Sequence, residues 1–430
     1  MHDPPDPARV TREVSAAAVV AVDPARIEAD LRHLVRFQSI TGTEEAIQSE
    51  METLFDELGL AVERIETDPV AFAADPDYPG AEMPRETLPV VVGRLGRPGG
   101  KRILLVGHVD VVPVGDLATW SQDPWGAEVA DGRVHGRGAC DMKGGVAAML
   151  GAVRALVACG AAKRFDGELV VVSVPSEEDG GQGMLAAIRA GIVGDMAVIP
   201  EPSNLDVVVA HAGALTFRMT VPGRAAHASV RREGVSALDK LALLIRALEA
   251  DEARRNRSET DPLMTVLGLP YPTIVGMVRG GNWPSTVMDE VVVDGRYGVR
   301  LGQGWREAEV ELRDCIAEAC IADPFLREHP ATIEINGGRF SSGQVPSDHA
   351  LPVGLADVAE QVTGRRPALI GEPYGADMRL LINEGRTPTV IFGPGDVRAA
   401  HAANESVALD EVVECARVLA AWLVQELVPG

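Results

Sequence analysis

Four short apolar runs in this chain lead directly into a histidine or a carboxylate, and no other regularity constrains its fold so tightly. RILLVGHVDVV (102–112) carries His108 and Asp110 where its apolar part ends, and ELVVVSVP (168–175) runs into Ser176-Glu177-Glu178-Asp179-Gly180. DMAVIP (195–200) runs into Glu201, and TPTVIFGPG (388–395) into the loop that holds His401. Runs of this length, rich in β-branched residues, read as strands buried on both faces. They alternate with helical patterns, which predicts an α/β fold with a mostly parallel, doubly wound sheet. In such a sheet the loops leaving the carboxyl ends of the strands share one edge, and ligands bind there.

A fifth stretch, GRGACDMKGGVAAML (136–150), is a glycine-rich turn passing into a helix. Val146, Met149, Leu150, Val153 and Leu156 follow Asp141 at helical spacing, so the helix buries one face while its first turn stays at the rim. An aspartate there is also an ordinary helix cap. Its company makes it a candidate ligand: His108, Asp110, Asp141, Glu177, Glu178, Glu201 and His401 are expected to converge on one cleft. His, Asp and Glu without Cys suit a hydrolytic zinc, manganese or cobalt site. Two ions need a bridging carboxylate with separate ligands on each side, and the count fits. In extended chain the side chains of Glu177 and Glu178 point apart, so one can bind metal while the other serves as base.

Between 214 and 337 the rhythm changes. ALTFRMTV, the helix 233–250, PTIVGMVRG, DEVVVDGRYGVRL, the helix 305–320 and ATIEI give the order β-α-β-β-α-β of a split βαβ, ferredoxin-like α+β unit. The expected organisation is an arm at 1–24 with a short helix around 8–20, and a catalytic domain formed by 25–213 and 338–430. The inserted unit, 214–337, would act as lid or dimerisation domain. LPVVVGRL (88–95) and the 102–112 run read as neighbouring strands, and the proline-bearing stretch 66–88 as a surface loop.

Composition narrows the function. With 63 acidic against 40 basic residues the net charge is −23, which argues against nucleic acid or an anionic membrane surface as partner. SAAAVVAV near the N-terminus is too short, and too soon broken by Asp23-Pro24, for a signal peptide or span. Five cysteines without a CxxC pair read as reduced thiols in a cytoplasmic protein. His135 and His211 sit beside these segments and read as packing residues, as does Cys140.

GHVDVVP, GRGACDMKGG, PSEEDGGQG, IPEPS, GRAAHAS and AAHAANE resemble, in order and spacing, the acetylornithine deacetylase, succinyl-diaminopimelate desuccinylase and aminoacylase family of dinuclear zinc hydrolases. The resemblance implies two divalent ions, Zn2+ first, with Co2+ or Mn2+ as alternatives. His108 and Glu201 would hold one ion and Glu178 and His401 the other. Asp141 would bridge them, and Asp110 would orient the His108 imidazole. Glu177 would be general base toward a metal-activated water. His227 would reach the active site of a partner subunit and stabilise an oxyanion, which implies a homodimer. Arg296, Asp377 and Arg379 lie where relatives carry substrate-binding segments. One departure stands out: GGNWPSTV has Ser285, with Asn282 three residues earlier, where relatives carry asparagine.

The activity implied is hydrolysis of the amide of an N-acyl amino acid or related small amine, acetylornithine-like in first place. Desuccinylation, deformylation of an N-formyl pyrimidine and dipeptide cleavage are the alternatives within the family. A metal-binding pseudoenzyme is the alternative outside it, and no G-x-S-x-G elbow supports a serine hydrolase.

Overall fold

The computed structural model describes residues 7–429. Its main sheet has nine strands. Eight follow the order Ala61–Thr67, Leu88–Gly96, Gly167–Val174, Lys101–His108, Met196–Ile199, Thr389–Ile391, Val207–His211 and Gly343–Gln344. Leu369–Glu372 lies parallel beside Val207–His211. The four strands from Gly167–Val174 to Thr389–Ile391 are parallel to one another, and the flanks are mainly antiparallel. Every residue of Gly167–Val174 is buried, as a strand covered on both faces requires.

Helices Pro24–Val35, Gly144–Ala158, Ala350–Thr363 and Leu409–Leu427 pack together as one group. Glu45–Glu57 and Gln182–Arg189 pack on the Leu88–Gly96 strand as another. Pro7–Val20 forms the helix expected near 8–20, and it packs on Leu409–Leu427 with Val14 and Ala18 buried. Residues 1–6 of the expected arm lie outside the described residues.

Residues 213–340 contain a four-stranded antiparallel sheet in the order Thr273–Gly280, Glu290–Val299, Gly213–Pro222, Thr332–Phe340. Numbered along the chain this is 2-3-1-4, the arrangement of a split βαβ unit. Gly213–Pro222 alternates in burial, so only one face is packed. Leu215, Phe217, Met219 and Val221 on that face meet Leu241, Leu244, Leu312 and Ile316 from helices Ala237–Arg257 and Trp305–Ala322, a core separate from the main one. The opposite face, with Thr216 and Arg296, is left for the site.

Three expectations need correction. Leu88–Gly96 and Lys101–His108 are not neighbours, because Gly167–Val174 lies between them and pairs with both. The helix placed at 233–250 begins at Ala237 and continues to Arg257. The strand ATIEI extends to Phe340, so position 337 falls inside it. The short three-stranded sheet of Glu128–Ala130, Arg133–His135 and Ser406–Ala408 was not foreseen.

Candidate active site

The four parallel strands deliver the candidate residues side by side. Glu177 and Glu178 follow Gly167–Val174, His108 ends Lys101–His108, Glu201 follows Met196–Ile199, and His401 lies beyond Thr389–Ile391. Asp141 enters from the turn before Gly144–Ala158. A Cβ on Gly145 would stand 1.9 Å from the Pro200 carbonyl oxygen, so glycine lets this helix press against the strand end that carries Glu201. Ser176 (φ 68°) and His401 (φ 59°) both hold left-handed backbone, uncommon for residues with a Cβ and frequent where a side chain must be aimed.

His108 Nε2 is 3.1 Å from Asp141 Oδ1 and 3.3 Å from Glu201 Oε1. His401 Nε2 is 3.4 Å from Asp141 Oδ2 and 3.0 Å from Glu178 Oε2. The two oxygens of Asp141 therefore face two different histidine–glutamate pairs. Ligand atoms of His108, Glu177 and Glu201 also lie within 4.8 Å of one another, as do those of His108, Asp141 and Glu178. The two-pair arrangement is the better description. The other nitrogen of His108 is engaged elsewhere, so its imidazole can serve only one half, and Asp141 offers one oxygen to each.

Charge supports ion binding. Burial disfavours the ionised forms of Glu178 and Glu201, and the Asp141 charge adds to this, raising their pKa values to about 7 and about 8. Burial also raises Glu177 well above the carboxylate range, with Glu201, Asp377 and Glu178 adding to it against His108. Burial opposes protonation of His108, yet Glu201, Asp110 and Asp141 drive its proton affinity well up. Bonds to Asp141 and Glu178 raise His401 to about 11. Lys143, the nearest lysine in sequence, donates instead to the Phe37 carbonyl at 2.9 Å. Four facing carboxylates with two imidazoles are short of positive charge, and divalent cations are what such a donor set accommodates.

Asp110 does more than orient an imidazole. His108 Nδ1 is 3.0 Å from the Asp110 carbonyl oxygen and 3.5 Å from its carboxylate, which fixes the ring from behind. The same carboxylate accepts from the Glu177 and Glu178 amides at 3.1 and 3.2 Å, and from Thr41 Oγ1 at 3.0 Å. One buried aspartate thus positions three of the candidate residues.

Two positioning residues were not identified from the sequence, although both lie within the quoted segments. Glu405 Oε1 accepts from the Cys140 and Asp141 amides at 2.9 and 3.1 Å, and its Oε2 pairs with Arg137 Nη1 at 2.6 Å. Arg137 also donates to the His401 carbonyl at 3.4 Å, so the buried pair ties the Asp141 turn to the His401 loop. A like pattern of buried charges flanking ligands is the signal that could have found them. Glu405→Ala is expected to cost about 3–5 kcal/mol by leaving Arg137 buried and unpaired. It should also weaken metal binding about 10–100-fold. Denaturant unfolding and metal titration check the two effects.

A cavity of about 420 Å³ opens onto this cluster. Asp141, Glu177, Glu178, Glu201 and His401 line one side, and Thr216, Arg296 and Phe340 the other. Arg296 thus lines the same cavity as the ligand cluster. Asp377 and Arg379 are not among the lining residues. Arg379 is buried behind the wall, where it donates to the Ala376 and Gly180 carbonyls and stacks 4.0 Å from the Phe340 ring centroid. Asp377 is buried beside it with neither carboxylate oxygen hydrogen-bonded. Any part they take in substrate binding is through the wall they support.

His227 is exposed, its Nδ1 held 2.8 Å from Ser229 Oγ, and it does not line this cavity. Asn282 and Ser285 are exposed nearby, where the Ser285 carbonyl accepts from the Ala228 amide at 2.9 Å. His135 lies outside the cluster, Cys140 is buried with Sγ 3.4 Å from the Asp396 carbonyl, and all five cysteines are unpaired. No helix among the described residues is long and apolar enough to cross a membrane.

His211 is fully buried, with Nδ1 2.7 Å from the Ala212 carbonyl oxygen. Burial, and then the Arg379 charge, lowers its pKa to about 4 against its backbone bonds. An unfolded histidine binds its proton near 6.5, so the neutral buried form contributes stability that is complete above that pH. The contribution is lost as pH falls from about 6.5 through about 4, in total about 3 kcal/mol. His211→Gln should flatten this part of the stability–pH curve, read by urea unfolding from pH 4.5 to 7.5.

A family model described as peptidase family M20/M25/M40 matches residues 104–425. The chain is 27% identical over 350 residues to an N-formyl-4-amino-5-aminomethyl-2-methylpyrimidine deformylase of Halalkalibacterium halodurans, covering 75% of this chain and 78% of that protein. It is 29% identical over 377 residues to a succinyl-diaminopimelate desuccinylase of Methylobacterium nodulans, covering 84% and 86%. A solved dipeptidase structure from Saccharomyces cerevisiae superposes with a TM-score of 0.72 at 15% identity, covering 95% of this chain and 98% of that one, and so shares the fold. The match extends over the whole span that carries His108, Asp141, Glu177, Glu178, Glu201 and His401, and the chain belongs to peptidase family M20/M25/M40.

Proposed function

We propose that this protein is a two-metal amidohydrolase that removes the acyl group from an N-acyl amino acid or related small N-acyl amine. The observation that carries the reading is the placing of Asp141 between two histidine–glutamate pairs, with Glu177 beside them on the wall of one cavity. His108, Asp141 and Glu201 would hold one ion, and His401, Glu178 and again Asp141 the other. Two divalent ions, zinc first and cobalt or manganese as alternatives, would supply Lewis acidity that polarises the amide carbonyl and acidifies water.

Glu177 is the general base. Burial and neighbouring carboxylates raise its proton affinity, which suits a group that must accept a proton and hold it for a second transfer. It takes a proton from water as the oxygen–carbon bond forms. It gives that proton to the amine nitrogen as the carbon–nitrogen bond breaks. Asp110 keeps Glu177 and His108 in place throughout.

Arg296 binds the substrate carboxylate. Its guanidinium faces the cavity, donates to the Pro373 carbonyl at 3.2 Å, and has its pKa lowered by burial alone, which fits a cation without a carboxylate partner. His227, exposed and away from its own cavity, would complete the site of a second copy and stabilise the oxyanion, which makes the active form a homodimer. The unpaired thiols suit a cytoplasmic setting.

Acetyl is the first acyl group to test, with ornithine as amine, and succinyl, formyl and dipeptide substrates are the alternatives. Amine release from a panel of these compounds, measured with zinc or cobalt and again after chelation, tests the proposal. Chelator-sensitive hydrolysis of one member is expected. Hydrolysis that persists through complete metal removal would contradict it.

A further inference from the structure

Glu82 comes from the stretch 66–88, far in sequence from every ligand candidate, and yet lines the same cavity. Its Oε1 accepts from Thr216 Oγ1 at 2.6 Å and from the Gly338 amide at 3.3 Å. Both bonds go to one oxygen. They are enough to fasten the segment, and they leave Oε2 without a hydrogen bond among the described residues.

The segment around Glu82 is held rigidly. The Glu82 and Met83 amides both donate to Asp179 Oδ2 at 3.2 Å, and the Arg339 amide donates to the Pro79 carbonyl at 2.7 Å. Gly80 (φ +85°) passes so close to Gly337 that a Cβ would stand 2.0 Å from its carbonyl oxygen. Ties on both sides, to the loop after Glu178 and to the Thr332–Phe340 strand, preorganise the carboxylate.

Thr216 and Arg296 are register partners on adjacent strands. The wall opposite the ligand cluster therefore carries both a carboxylate and a guanidinium. No ion pair joins them among the described residues: the Glu82 carboxylate is held by Thr216 and Gly338, and the Arg296 guanidinium by the Pro373 carbonyl. Two fixed, unneutralised charges of opposite sign on one wall match a substrate that carries both.

We propose that Glu82 is a specificity-determining residue that recognises a second, positively charged amine on the substrate, remote from the scissile amide. The substrate class is then an N-acyl amino acid with a cationic side chain, its carboxylate on Arg296 and its ammonium on Glu82. This rests on the amidohydrolase reading and narrows it.

Glu82→Gln tests the charge while keeping an oxygen for Thr216 and Gly338, and Glu82→Ala removes both. The metal-loaded enzymes are compared on Nα-acetylornithine and Nα-acetylnorvaline, which differ in the δ-ammonium. Binding of ornithine and norvaline themselves is measured by calorimetry, which does not depend on the acyl group or on turnover. Wild type should favour the ornithine compounds about 10–100-fold, the usual worth of a charge-assisted contact. Glu82→Gln should abolish that preference through KM, leaving kcat and the norvaline values within about 3-fold. Equal affinity for the two amines in the wild type, or no binding of either, overturns the proposal. So does a preference that survives Glu82→Gln and disappears only in Glu82→Ala, because a neutral donor contact would then explain it. Ornithine-selective binding without hydrolysis of any N-acyl compound would instead contradict the reaction and leave the recognition by Glu82 supported.

Discussion

Glu177→Gln should retain its metal ions and lose turnover by about 10²–10⁴-fold, the usual contribution of a positioned general base. The substitution keeps the shape of the side chain and the amide that donates to Asp110, so the frame around it is preserved. What it removes is the capacity to take a proton from water and return it to the leaving amine. The loss should fall on kcat rather than KM, since neither the Arg296 nor the Glu82 wall is touched. Steady-state kinetics together with metal analysis separates this from a ligand defect. A variant that kept wild-type kcat would place the base elsewhere, and one that lost an ion would make Glu177 a ligand.

Asp141→Ala should have the larger structural consequence at the site, with loss of both ions and of all measurable activity. Each Asp141 oxygen faces a different histidine, so this substitution removes a carboxylate oxygen from both halves at once. Without that carboxylate, His108 keeps Glu201 and His401 keeps Glu178, two donors apiece. Zinc sites of this kind are built from at least three protein ligands, so two should not retain the ion. The fold should survive, because the adjoining turn remains anchored through the Cys140 amide to Glu405. Metal content after gel filtration, beside circular dichroism, checks both halves of this expectation. His401→Ala is the control: it should retain the ion on the His108 side and lose the other.

Much of this site could be read from the chain because each candidate ligand except Asp141 lies beyond a strand of the central parallel sheet. An unbroken apolar run such as ELVVVSVP marks the strand, and the residue just past it must lie at the edge of the sheet. Strand order was not readable in the same way. A run that is apolar on both faces carries no information about its neighbour, and so Gly167–Val174 could enter between Leu88–Gly96 and Lys101–His108 unannounced.

The alternating burial of Gly213–Pro222 did identify the second sheet, since one packed face imposes a period of two. Arg137 and Glu405 escaped notice because their meaning lies in pairing with each other across 268 positions. Glu82 escaped for a related reason. A proline-bearing polar stretch has no periodicity, and only Asp179, Thr216 and Gly338 turn it into a cavity wall. Asp377 and Arg379 show the converse, since a place in the chain where relatives carry a substrate-binding segment did not bring their side chains into the cavity.

The central claim is that one carboxylate joins two metal positions and that activity needs both. It is tested most directly by titrating metal-free protein with zinc or cobalt while recording bound metal per chain and amine release together. Two ions per chain are expected, with activity complete only when the second is bound. Full activity with a single ion per chain would contradict the shared role of Asp141 and the two-metal reading with it.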